Sequence, residues 1–129
     1  KIKEEENIIL QYNKLIKLLE KNVKEGKIDE VENISKKILE IFPKDVIAKF
    51  YLANIYYTHN RNEDAVKLYQ EVILSQPDNL NARYNLALAL IKLQQYSQAE
   101  KQLEYILSKE PNNQIIKQQI QQLKEFNNF

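Results

Sequence analysis

Three prolines set the terms for this chain. Pro43, Pro77 and Pro111 stand 34 residues apart. A fixed period of this length means copies of one supersecondary unit, each stacked on its neighbours. Other positions keep the same register. Ile38-Leu39, Val72-Ile73 and Ile106-Leu107 precede their prolines at equal distances, as do Val31, Ala65 and Ala99, and Ser35, Tyr69 and Leu103. Leu18-Leu19, Leu52-Ala53 and Leu86-Ala87 align further upstream. The chain therefore divides into units 12–45, 46–79 and 80–113, with an extension over 1–11 and a tail from 114.

Each unit reads as two helices. Phe50, Leu52, Ala53, Tyr56 and Tyr57 recur at helical spacing, and Ala65, Leu68, Tyr69, Val72 and Ile73 do so again. Gly26, Asn60 and Gln94 mark the breaks between helices, where a residue at positive φ ends a helix. Glutamine suits that conformation poorly, so the turn at Gln94 is expected to be strained or differently shaped. Asp29 with Glu32, and Ser97 with Glu100, are spaced as capping boxes for second helices. Lys44-Asp45, Asp78-Asn79 and Asn112-Asn113 follow the prolines and are placed to cap the next helix. No alternating, turn-bounded runs suggest strands, so the expected class is all-α.

Composition narrows function by exclusion. The 129 residues include no Cys, one Gly and one His. That leaves no disulfide, thiolate metal site or cysteine nucleophile, no Gly-rich phosphate loop, and little for a His-based metal site or triad. No cofactor is implied. Lys plus Arg number 19 against 18 Asp plus Glu, without the basic surplus that nucleic acid requires. No apolar run approaches the ~20 residues of a membrane span, so direct membrane insertion is not expected, and no secretory leader pattern is visible. The chain starts at Lys1, which is read as a processed protein or a fragment of a longer one. These absences point to binding or structure rather than catalysis.

The 34-residue pattern resembles the tetratricopeptide repeat (TPR) family. Unit two reads Leu52-Ala53-x2-Tyr56, Ala65-x3-Tyr69, Pro77; unit three reads Leu86-Ala87-x2-Leu90, Ala99-x3-Leu103, Pro111. Unit one is degenerate, with Leu18-Leu19-x2-Asn22, Val31-x3-Ser35, Pro43. The resemblance implies a right-handed superhelix of antiparallel helix pairs, a TPR α-solenoid forming one domain over 1–129. Ala53 would meet Ala65, and Ala87 would meet Ala99. Leu19 and Val31 in unit one would hold its helices further apart. The tail predicts a capping helix over 114–126, with an apolar stripe of Ile116, Ile120 and Leu123. Gln121 and Lys124 stand where unit two has Ala53 and Tyr56, as expected of a solvated domain end. Lys3 to Glu25 reads as one long helix whose Ile8, Ile9 and Tyr12 would bury against unit one or against further protein.

The resemblance also implies a concave groove, lined by the first helix of each pair, that binds a segment of a partner protein. The first helix of unit three is apolar all round. Leu86, Ala87, Ala89 and Leu90 suffice for packing, which leaves Tyr84, Leu88 and Ile91 as a second stripe, continued by Phe50 and Tyr57. Such a surplus apolar face marks either a binding surface or a surface covered by the chain's own ends. The candidate site is Phe50, Asn54, Tyr57, Tyr84, Asn85, Leu88 and Ile91. Its asparagine amides would hold a peptide backbone, and its apolar side chains would receive an apolar or aromatic segment. One TPR subfamily clamps chaperone C-terminal carboxylates with basic residues and two asparagines. Asn54 and Asn85 fit, but Phe50, Ile115 and Gln119 occupy the basic places, and a carboxylate needs charged donors. Alternatives are a self-assembling structural domain, with a homo-oligomer as the partner, or a regulatory module of a larger protein. Lys14, Lys17, Lys21 and Lys24 share one side of the first helix and read as a solvated face. His59 ends a helix and carries no catalytic pattern. Asn33-Ile34-Ser35 spells a glycosylation site inside a predicted helix.

Overall fold

The computed structural model describes residues 1–127. Among them lie seven helices: α1 (Ile2–Lys24), α2 (Ile28–Ile41), α3 (Val46–Thr58), α4 (Asn62–Ser75), α5 (Leu80–Lys92), α6 (Tyr96–Lys109) and α7 (Gln114–Asn127). No described residue is in a strand. Each of α1–α2, α3–α4 and α5–α6 is one repeat, and α7 packs on α6. None of these helices is long and apolar enough to cross a membrane.

The three turns inside the repeats share one shape. Gly26, Asn60 and Gln94 have φ of 69°, 61° and 61°. Gly26 N–H donates to Val23 O and Lys27 N–H to Asn22 O, and the same pair of bonds recurs around Asn60 and Gln94. The turn at Gln94 is therefore not differently shaped, and of the two expectations strain is the one that holds. Packing of the flanking helices fixes the closure, and Gln94 takes the left-handed conformation at a cost of ~1–2 kcal/mol.

The expected capping boxes need correction. α2 and α6 start at Ile28 and Tyr96, behind Lys27 and Gln95, which make no side-chain cap bond. The residue after each left-handed turn already launches the helix: the Lys27, Arg61 and Gln95 carbonyls accept from Val31, Ala65 and Ala99. Asp29 and Glu30 lie inside the first turn of α2, where carboxylates favour the positive helix end. The caps behind the prolines form as expected. Asp45 accepts from Ala48 N–H at 2.9 Å, Asn79 from Ala82 at 3.0 Å and Asn113 from Ile116 at 3.1 Å.

Small residues set the packing. Ala53, Ala65, Ala87 and Ala99 are all fully buried, and so is Leu19. One register explains both ends of the stack. Ala48, Leu52 and Ile55 are buried on α3, as are Ala82, Leu86 and Ala89 on α5 and Ile116, Ile120 and Leu123 on α7. At the matching places on α1 stand Lys14, Leu18 and Lys21, all exposed. At the other end Gln121 and Lys124 are exposed. Tyr12 packs edge-on to Phe42 at 5.0 Å, and its hydroxyl donates to Asp45 Oδ1 at 2.6 Å. Ile8 and Ile9 do not bury on unit one, because α1 runs past the end of α2; both are exposed, as is Leu10. Ile34 and Ser35 of the sequon spelling are buried within α2.

Candidate functional site

The parallel course of α3 and α5 brings Asn54 and Asn85 together at the middle of the stack. Asn85 Nδ2 donates to Asn54 Oδ1 at 3.1 Å. Tyr69, projecting from α4, donates its hydroxyl to the same oxygen. Burial of the Tyr69 ring holds its phenol above the usual tyrosine range, so it remains a proton donor. The network uses Asn54 Oδ1 and one Asn85 N–H. The Asn54 amide N–H groups and the Asn85 carbonyl stand outside it.

Beside this network lies a cleft of about 200 Å³, lined by Asn54, Tyr57, Thr58, Tyr69, Asn85 and Leu88. Four of the seven sequence-predicted residues meet there. Ile91 packs on the core. Phe50 lies edge-on to Tyr69 at 6.2 Å and to Tyr51 at 5.6 Å and does not line the cleft. Tyr84 belongs elsewhere. Its hydroxyl accepts from Gln119 Nε2 at 2.9 Å, and it lines a separate cleft of about 310 Å³ with Leu80, Asn81, Ile115 and Ile116. The α7 cap thus covers part of the apolar stripe on α5. All seven residues are half-buried rather than freely exposed.

Tyr69 is not among the sequence-predicted site residues, yet it lines the cleft. Its hydroxyl was the available signal, because a buried tyrosine O–H seeks a partner. Thr58 lines the cleft as well. The cleft itself carries no charged side chain. Among the described residues no cluster of His, Cys, Asp or Glu could hold a metal ion. His59 caps the end of α3 with Nδ1 4.0 Å from Glu32.

A family model for the tetratricopeptide repeat matches residues 22–78 and 60–123. The chain belongs to the tetratricopeptide repeat family. A TPR repeat-containing protein of Methanocaldococcus jannaschii is 51% identical over 45 residues, which are 35% of this chain and 14% of that protein. The matched stretch is thus a small part of that relative. Among solved structures, the first TPR of Spaghetti (RPAP3), bound to the HSP90 peptide SRMEEVD, superposes with a TM-score of 0.80 at 20% identity, over 92% of this chain and 94% of that one. MamA gives 0.82 at 19% identity, over 91% and 68%. The Arabidopsis OM64 TPR domain gives 0.79 at 14% identity, over 92% and 98%. These likenesses show the fold, an all-α TPR solenoid.

Proposed function

We propose that this TPR domain is an adaptor that holds an extended segment of a partner protein across α3 and α5. The observation that carries the reading is the uncharged cleft in which Asn54 and Asn85 meet beside Tyr57 and Leu88. Asn54 N–H and the Asn85 carbonyl offer a donor and an acceptor to a peptide backbone, and Leu88 and the Tyr57 ring offer apolar area. The role is binding without catalysis. The RPAP3 domain is bound to a peptide ending in EEVD. Here Phe50, Ile115 and Gln119 stand at the basic clamp positions, so the favoured ligand is neutral and apolar rather than acidic at its end.

The test is selection of random-sequence displayed peptides on the wild-type chain and on Leu88→Lys. Wild type enriches apolar sequences. The lysine variant, with its helical signal and melting intact, loses them. Recovery of the same sequences by both chains rejects the groove. A second reading, self-assembly, draws on the exposed Ile8, Ile9 and Leu10 of α1. Light scattering over a concentration series that shows a strict monomer rejects it.

A further inference from the structure

A second cleft, of about 170 Å³, lies one repeat away, between α1, α2 and α3. Val23, Gly26, Ile28, Val31, Tyr51 and Ile55 line it together with Asn54. Three of these positions repeat those of the first cleft at the 34-residue period: Val23 matches Tyr57, Tyr51 matches Asn85 and Asn54 matches Leu88. The two clefts share Asn54, so they adjoin at α3. The second differs in being almost wholly apolar. The degenerate sequence of unit one accounts for it. Val23 replaces a tyrosine ring, and Ser35 sits where unit two projects the Tyr69 ring. Gly26 gives the intervening turn no side chain, and a Cβ built there meets nothing within 4 Å.

We infer that this cleft is a specificity pocket of the same binding surface, taking one apolar side chain, of leucine to phenylalanine size, from the extended partner segment. The inference rests on the groove reading above. Size fits: an apolar cavity of ~150 Å³ accepts a benzene ring. Spacing fits as well. Neighbouring helices pack ~8–10 Å apart, and an extended chain rises ~3.3 Å per residue. A side chain in this cleft therefore stands about three residues from the backbone held at Asn54 and Asn85. The absence of a charged lining residue disfavours Lys, Arg, Asp or Glu in the pocket.

The experiment uses the peptides selected on wild type, labelled and titrated by fluorescence anisotropy. Val23→Tyr fills the cleft with the residue that unit two already accommodates at that place. Ile28→Glu, at a position 42% exposed, charges the cleft without disturbing the core. Each variant is expected to weaken binding roughly tenfold or more. Repeating the selection on either variant is expected to erase the apolar preference at one peptide position while the rest of the motif persists. Unchanged affinity and unchanged motif in both folded variants overturn the pocket and leave the groove reading standing. If wild type enriches no peptide, both fall.

Discussion

Units one and two have the same length and the same closing proline, yet they are filled differently. In unit two, Ala53 and Ala65 are fully buried, and the Tyr69 hydroxyl donates to the Asn54 oxygen that also accepts from Asn85. In unit one, Leu19 and Val31 occupy the alanine places, and the register of Tyr69 holds Ser35. That hydroxyl is fully buried and finds no hydrogen-bond partner among the described residues. Unit two is therefore locked by a ring and a polar network. Unit one is held by aliphatic packing and by its junction with α3, where Tyr12, Phe42 and Asp45 converge. A repeat tolerates this exchange because its neighbours, not its own core alone, complete the burial.

The largest expected effect breaks the unit-two lock. Tyr69→Ala, at a side chain 1% exposed, is expected to cost ~3–5 kcal/mol in chemical denaturation. Tyr69→Phe keeps the ring and is expected to cost only ~1–2 kcal/mol, which separates ring from network. The counterpart in unit one is Tyr12→Phe, expected to cost ~1–2 kcal/mol through loss of a bond to a carboxylate. It also carries a pH signature. Burial first, then the Asp45 hydrogen bond, push the Tyr12 phenol from 10.0 up to about 12. A raised folded-state pKa gives stability that is complete below the unfolded value and lost as pH climbs toward the folded one. Melting temperature should therefore fall between pH 10 and 12 more steeply in wild type than in Tyr12→Phe.

Smaller changes sharpen the contrast. Gln94→Gly is expected to raise stability by ~1 kcal/mol, because glycine takes positive φ freely, and Gly26→Gln is expected to lower it by a similar amount. Equal melting of both variants and wild type would show that the turns carry no strain. Ser35→Ala is expected to stabilise by ~0.5–1 kcal/mol, since it removes a buried hydroxyl without a partner. A loss there would point to a bond that the hydroxyl makes in solution.

Helix number and the all-α class were legible in the sequence. Pro43, Pro77 and Pro111 fixed the register, and that register placed Gln121 and Lys124 on an outer face. The starts of α2 and α6 were misread, because Asp29 and Ser97 look like caps while the left-handed turn launches the helix earlier. The site was half legible. Asn54, Tyr57, Asn85 and Leu88 meet as positions on consecutive first helices should. Tyr84 was drawn away by Gln119, and Tyr69 was drawn in from α4. Both shifts depend on how far a long side chain reaches across a helix boundary.

The sequence by itself determined the repeat, because helical periodicity, alanine placement and proline spacing are local and recur. Only the tertiary structure decided which half-buried side chains share a cleft. Those contacts join residues one repeat apart, such as Asn54 with Asn85 and Tyr84 with Gln119. Their pairing depends on the stacking geometry of whole helices rather than on any local run.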